Sequence, residues 1–338
     1  MNINLIVTLM YLTFYNNFLI MFLFIPTVFL YFLNPSKSKI YFIPLKNIIY
    51  NSLSYIFKLL LFPNIYVNSN DIININDKQK NILMSNHISE LDSIIGNIIL
   101  SNTELNNINN IISKKNVGYQ LPILSFIGLL TGDIYLHRNI NLDIKKLNKK
   151  LNFNLMLMFP EGTCFTKNRK LISDNYCNKN KLIKFNYHLY PRISGIELII
   201  NNNSNINYIY DLTIIYDEIK KKNYGNHYSI FGYLFGNFKL PNKIFIQINK
   251  YKINNKKGFD VKMIENIYLS KDKFIDKFDI TCNNFVPFKY DYKKEFLCFI
   301  LVNLFCIFSI YLYINFKFIR YLYFFQTITY YIYFYLCV

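Results

Sequence analysis

The sequence holds few of the residues that build metal sites and disulfide frameworks. Its 338 residues include four histidines and six cysteines. No CxxC pair occurs, and three cysteines fall in a hydrophobic C-terminal tail, so the spacing predicts neither a zinc site nor a set of disulfide bonds. Such usage is typical of a protein that faces a reducing cytosol. The six are Cys164, Cys177, Cys282, Cys298, Cys306 and Cys337.

Acidic residues are also scarce. Against 38 Lys and Arg there are only 20 Asp and Glu, which gives a formal net charge of +18. A nucleic-acid-binding protein can carry such a charge, but here Lys outnumbers Arg and no nucleic-acid-binding motif occurs. A surface that lies on anionic lipid explains the charge more simply. We therefore expect the lipid bilayer as a partner and no nucleic acid.

Charge is absent from long stretches at both ends of the chain. Residues 5–33 are uncharged, so we predict an N-terminal membrane segment at 1–34, either one tilted or kinked span or a re-entrant hairpin. Residues 296–316 and 321–338 are also uncharged and predict a C-terminal transmembrane hairpin at 296–338. Lys and Arg flank these segments mainly on the side of the middle region, which predicts an integral membrane protein with that region in the cytosol.

The middle of the chain has the pattern of an α/β domain. Residues 40–64 predict an amphipathic helix that either lies on the membrane surface or packs on the domain. From there, short apolar runs such as "ILMS", "NIISKK" and "LMLMFPEG" alternate with helical segments, including one at 142–153. This alternation predicts a domain at 65–290 with a mixed, largely parallel sheet flanked by helices, and with its site at the strand ends.

One stretch, "NHISELD", places His87 five positions before Asp92. That spacing puts the two side chains on different faces of a helix or a strand, so they meet only where the backbone bends. A bend is predicted here, because "ILMS" ends as a strand and Ser89 can cap a following helix. Asp92 would then orient His87 as a general base. A capping or surface histidine is the alternative.

A second stretch, "FPEGT", follows another apolar run and ends in a tight turn. It places Glu161 and Thr163 at the end of a predicted strand, and Gly162 between them permits a ligand to approach the backbone closely. The alternative is a plain solvent-exposed turn, in which Glu161 serves as a helix cap.

Together the two stretches, about 70 residues apart, resemble the glycerolipid acyltransferases, the family of lysophosphatidic acid and lysophospholipid acyltransferases. "GDIYLHRN" and "YPRISG" resemble two further blocks of this family, in the family's order, near the lysocardiolipin and lysophosphatidylinositol subgroup. The resemblance implies an acyltransferase of the endoplasmic reticulum that uses acyl-CoA as co-substrate, with no cofactor and no metal. It implies His87 and Asp92 as catalytic residues, and as substrate-binding residues Arg138, Glu161, Gly162, Thr163 and Arg192.

One position departs from the family pattern. Lysophosphatidic acid enzymes generally have Arg after "FPEGT", where this chain has Cys164. A neutral thiol cannot replace a guanidinium that binds a phosphate. Either another cation (Lys167, Arg169, Arg138 or Arg192) takes the phosphate, or the acceptor is a lysophospholipid with a phosphodiester.

Two functions from other classes are the alternatives, and the second has little support. A non-catalytic membrane protein could bind anionic lipid through the Lys-rich surface alone. A phosphodiesterase or lipase would need a metal cluster or a serine elbow, and the sequence has neither pattern.

Overall fold

A computed structural model gives the fold of the middle region. It describes residues 34–62, 64–68, 79–103, 108–115, 122–203, 205–217, 239–253, 260–278 and 285–321, with isolated residues elsewhere. An eight-stranded sheet with the order β4-β3-β5-β2-β6-β7-β1-β8 forms its centre. The strands are β1 (Ile65–Val67), β2 (Lys80–Ser85), β3 (Asn109–Lys114), β4 (Ile134–Leu136), β5 (Leu155–Met158), β6 (Ile206–Tyr216), β7 (Ile244–Lys252) and β8 (Val286–Pro287).

The sheet is mixed and largely parallel, which confirms the predicted fold class. Of the seven pairings between these strands, five are parallel, and β6–β7 and β1–β8 are antiparallel. Parallel strands need crossover connections, and helices in these connections cover both faces of the sheet. The helices are α1 (Pro35–Leu60), α2 (Asp92–Ser101), α3 (Pro122–Thr131), α4 (Ile140–Leu147), α5 (Lys167–Asn180), α6 (Ile193–Asn202), α7 (Val261–Lys277) and α8 (Tyr292–Asn315).

Two hydrophobic cores lie on opposite faces of the sheet, because side chains alternate along each strand. On β2, Leu83 belongs to one core, with residues of α1, α2, α3 and α8. Ile82 and Met84 belong to the other, with residues of α6 and α7. The apolar runs read from the sequence are therefore buried on both sides, as parallel strands require.

Helix α4 is shorter than predicted and begins earlier. It covers Ile140–Leu147, whereas the sequence pattern predicted a helix at 142–153. Its start is set by Asn139, whose side-chain oxygen accepts hydrogen bonds from the N–H groups of Asn141 and Leu142.

The predicted amphipathic helix at 40–64 is α1, which begins at Pro35 and ends at Leu60. It packs against α2, α3 and α8, so it is an integral part of the domain. Even its polar residues Lys46, Asn51 and Lys58 are buried. Lys46 forms an ion pair with Asp133, with 2.6 Å between its Nζ and Oδ1 of the carboxylate.

Helix α8 is long and apolar enough to cross a membrane, with a mean hydropathy of 2.4, and it is the one such helix in the described part of the chain. Glu295, Cys298, Val302, Cys306 and Ser309 are its buried residues, and they recur at intervals of three or four, which places them on one face. Glu295 on this face forms an ion pair with Lys58 of α1. The predicted segment at 1–34 and the second span of the predicted C-terminal hairpin lie almost wholly outside the described residues.

Candidate active site

The two singled-out stretches meet at the carboxyl ends of neighbouring strands. β2 and β5 are parallel, with Met84 beside Met158, so the segments that follow them emerge side by side. The N–H of Phe165 donates to the carbonyl of His87, with 2.6 Å between N and O. The loop after "FPEGT" is thereby bonded to the histidine loop.

His87 and Asp92 are brought together by the bend between β2 and α2. The distance from His87 Nδ1 to Asp92 Oδ2 is 3.1 Å. Asp92 is buried, and its carboxylate also accepts from the backbone N–H of Ser89 at 2.9 Å and from the hydroxyl of Tyr216. Because a carboxylate only accepts, we assign the ring proton to Nδ1, which leaves the lone pair of Nε2 as the basic site.

Ser89 contributes to the bend differently from the prediction. Helix α2 begins at Asp92, its formal N-cap is Leu91, and no side chain caps it there. Ser89 lies one turn earlier, where its hydroxyl accepts from the N–H of Leu91 and its own N–H donates to Asp92. These two bonds connect Ser89 to the start of α2 and fix the carboxylate of Asp92 beside the imidazole.

Cys164 lies against the basic nitrogen of His87. Its Sγ is 3.4 Å from Nε2, and the ring of Phe159 lies on the imidazole with 4.6 Å between ring centroids. Burial, with smaller contributions from the charges of Asp92 and Glu90, raises the pKa of the Cys164 thiol to about 12. The thiol therefore stays protonated and can donate to Nε2, which does not suit a nucleophile.

Glu161 connects two loops beneath the site. Its Oε1 accepts from the N–H of His87 at 3.1 Å, and its Oε2 accepts from the N–H of Leu189 at 3.0 Å. The side chain is buried, and burial raises its pKa from the usual 4.5 to about 8, although the two N–H groups act in the opposite direction. Both oxygens of Glu161 are thus bonded to the protein backbone.

Gly162 makes room for Arg192. It has a φ of 68°, and a Cβ there would lie 2.8 Å from Nε of Arg192, so the arginine side chain passes directly over this glycine. Thr163, beside it, has a buried Oγ1 that finds no hydrogen-bond partner in the part of the chain that the structure describes.

Four cations gather around the turn. Arg138 follows β4, Arg192 precedes α6, and Arg169 of α5 donates from Nη1 to the carbonyl of Cys164 at 3.1 Å. Lys114 ends β3, and its pKa is lowered first by burial and then by the charges of Arg138, Arg169 and Arg192, while Cys164 acts in the opposite direction. Among the residues that the structure describes, none of the four forms an ion pair. We call Lys114, Arg138, Arg169 and Arg192 the cation cluster.

Two residues of this site escaped the sequence analysis. Lys114 carries a detectable signal, since it ends an apolar run that we predicted to be a strand of the same sheet. Tyr216 ends β6, which pairs with β2, and only that pairing shows that it can reach Asp92. No group of three or more His, Cys, Asp or Glu in the described ranges is arranged to hold a metal ion.

Comparison with known proteins shows which family the middle of the chain is similar to. Residues 66–191 match the model of the Acyltransferase family. Lysocardiolipin acyltransferase 1 of Danio rerio is 36% identical over 66 residues, 19% of this chain and 17% of the relative. Lysophosphatidylinositol acyltransferase 10 of Caenorhabditis elegans is 32% identical over 117 residues, 32% of this chain and 30% of the relative. 1-acyl-sn-glycerol-3-phosphate acyltransferase delta of Homo sapiens is 25% identical over 145 residues, 40% of this chain and 38% of the relative.

Residues 66–191 are thus similar to the Acyltransferase family, and the relatives that match are named lysophospholipid acyltransferases, which confirms the predicted resemblance. The matched segments span less than two fifths of each of these relatives. Among solved structures, the 1-acyl-sn-glycerophosphate acyltransferase PlsC of Thermotoga maritima has a TM-score of 0.45 at 17% identity, over 81% of this chain and 97% of that one.

Proposed function

We propose that this protein is a membrane-bound, acyl-CoA-dependent acyltransferase that esterifies the free hydroxyl of lysophosphatidic acid or a related lysophospholipid. The observation that carries the proposal is the His87–Asp92 pair, with its basic nitrogen beside a cation cluster that forms no ion pair with any described residue. A base and a phosphate-binding surface side by side suit an acceptor that has both a hydroxyl and a phosphate.

The chemistry follows from the tautomer of His87. As the acceptor oxygen attacks the thioester carbonyl, its proton passes to Nε2, and the imidazolium is stabilised by Asp92. Backbone amides near the strand ends stabilise the oxyanion. The carbon–sulfur bond then breaks, and His87 returns the proton to the departing thiolate of coenzyme A. Transfer is direct, with no covalent acyl-enzyme, and needs neither a metal nor a further cofactor.

Cys164 occupies the position that the acceptor hydroxyl needs. A thiol donates a weak hydrogen bond, so a substrate hydroxyl displaces it from Nε2 easily. The Cys164 thiol therefore lies beside Nε2 of His87 in the free enzyme and gives way when the acceptor hydroxyl binds.

The cation cluster holds the phosphate of the acceptor. Because no carboxylate in the described part of the chain forms an ion pair with the cluster, none of those carboxylates competes with a substrate phosphate there. Arg169 supplies a guanidinium near the position where Cys164 provides none, and Gly162 lets Arg192 lie close to the backbone. Thr163 offers a further hydroxyl to the head group. A lysophosphatidylinositol- or lysocardiolipin-type acceptor is the second candidate, and the names of the relatives from zebrafish and nematode favour it.

The membrane segments keep the domain on the bilayer. Helix α8 exposes apolar side chains over most of its surface. We place the protein in the endoplasmic reticulum, with the catalytic domain on the cytosolic side. There the lysolipid enters from the bilayer and acyl-CoA arrives from solution.

The test measures acyl-CoA consumption and product mass for the purified protein with a panel of lysolipids. His87→Ala should abolish transfer without unfolding the domain. His137→Ala, which changes the histidine beside Arg138, is the matched control and should keep activity. Lipid binding without turnover, indifferent to His87, would instead support the non-catalytic alternative.

A further inference from the structure

We propose that Asp272, on helix α7 and outside the matched residues 66–191, is a positioning residue that holds Arg192 in place for the acceptor phosphate. The inference rests on the proposed function, since it assigns how one residue of the cation cluster is held. Asp272 touches neither the cation cluster nor His87 through any contact in the described structure, so it would act through the segment 186–192.

The carboxylate of Asp272 binds three consecutive residues. It accepts from the backbone N–H of Asn186, from the N–H of Tyr187 at 3.0 Å, and from Nδ1 of His188 at 2.6 Å. Asp272 is 8% exposed and His188 is 1% exposed, so these bonds lie away from competing water. Three bonds to one carboxylate fix the path of the segment at its first residues.

The same segment is fixed again at the active site. Leu189 donates to Glu161, and Glu161 also accepts from the N–H of His87. Arg192 follows three residues later, and its side chain crosses Gly162. A continuous run of bonded residues therefore leads from Asp272 to the side chain that we expect to bind phosphate.

Helix α7 is itself held to the sheet beside the catalytic strand. Lys271, next to Asp272, is 1% exposed and its Nζ lies 2.8 Å from Oδ1 of Asp211 and 2.8 Å from the carbonyl of Leu212. Both partners lie on β6, which pairs with the β2 strand that leads to His87. Asp272 is thus supported by a strand next to the active site.

Stability alone does not explain why Lys271, Asp272 and His188 are buried. Buried charges are often replaced by apolar side chains without loss of stability. Moreover, the Nε2 of His188 and the hydroxyl of Tyr268 are buried and have no hydrogen-bond partner among the described residues. Burying polar groups without partners lowers stability. The placement of Arg192 explains why the chain retains them.

The experiment is a double-mutant cycle on the full-length protein in detergent, with separate KM values for lysophosphatidic acid and acyl-CoA. Asp272→Asn should raise the acceptor KM about tenfold and change kcat and the acyl-CoA KM less than about threefold. Asp276→Asn is the matched control. That carboxylate is exposed one turn further along α7, where it accepts from the hydroxyl of Tyr187, and its variant should behave as wild type.

The cycle is completed by Arg192→Ala with and without Asp272→Asn. If Asp272 acts through Arg192, the double variant has an acceptor KM within about twofold of Arg192→Ala alone. The inference would be overturned if the effects of Arg192→Ala and Asp272→Asn on the acceptor KM multiply, or if Asp272→Asn changes both KM values equally. Either result would leave the acyltransferase proposal intact. If Asp272→Asn does not fold, Asp272→Glu keeps the charge with a displaced carboxylate and carries the same test. A wild type without acyl transfer would overturn both proposals.

Discussion

Replacing Asp92 by Asn isolates the charge of the carboxylate from its geometry. Asp92 accepts from His87 and Ser89 on one oxygen and from Tyr216 on the other. The amide of Asn cannot turn its NH₂ toward Ser89, because two N–H groups would face each other. It will therefore keep its oxygen on Ser89 and His87 and donate to the hydroxyl of Tyr216, which can also accept.

In this variant His87 keeps its tautomer and loses only the negative charge beside its imidazolium. Two unit charges about 4 Å apart attract by about 4 kcal/mol at an effective dielectric constant of about 20. Part of this is compensated by water and by the amide dipole, so we expect the barrier to rise by about 2–4 kcal/mol and kcat to fall about 30- to 1000-fold.

The assay is kcat for acyl transfer at saturating acyl-CoA and lysolipid, with the melting temperature measured in parallel. Tyr216→Phe is the control, because it removes a bond to Asp92 and leaves its charge in place. That variant should lose less than about tenfold. If Asp92→Asn stays within threefold of wild type while His87→Ala is inactive, the carboxylate does not stabilise the imidazolium and the mechanism is wrong.

Three further predictions concern the supporting residues. Gly162→Ala forces an L-residue into a left-handed conformation and pushes Arg192 aside, so stability should fall by about 1–2 kcal/mol and the acceptor KM should rise. The folded protein keeps the proton of Glu161 up to about pH 8, whereas the unfolded chain loses it near 4.5, so stability falls as the pH rises between these values. The melting temperature of wild type should therefore decrease between pH 6 and pH 9, and Glu161→Gln should remove the part of this decrease that the ionisation of Glu161 causes. Lys46→Met leaves Asp133 buried without its cation and should cost about 3–5 kcal/mol in thermal unfolding.

Each of these three predictions has a control variant or a control measurement that can contradict it. Gly195→Ala lies in a helix with 3.8 Å to the nearest side-chain atom, so it should leave stability unchanged or raise it by up to about 1 kcal/mol. A similar loss at both glycines would refute the conformational argument. Parallel pH slopes for wild type and Glu161→Gln would show that Glu161 ionises normally. Lys145→Met, on the exposed surface of α4, should be neutral, and a loss equal to that of Lys46→Met would refute the role of the buried pair.

Much of the fold could be predicted because its evidence is local. The runs around Ile82, Ile111 and Leu157 are apolar, short and separated by helical segments, and each property is read within about ten residues. Element ends were less accurate, since a single cap at Asn139 moved the start of α4. For α1, the sequence left membrane surface and domain packing equally open, and burial of Lys46 and Lys58 shows packing on the domain.

The sequence by itself determined the α/β class, the order of the motif blocks and the candidate base, because periodicity and motif spacing are properties of neighbouring residues. Only the tertiary structure decided what surrounds that base. It brought Tyr216 to Asp92, Lys114 to the arginines and Cys164 to Nε2 of His87, and it placed both oxygens of Glu161 on backbone N–H groups. The strand order β3-β5-β2-β6 joins segments that lie far apart in the chain, as where Leu83 of β2 pairs with Tyr210 of β6, and no local pattern specifies such an order.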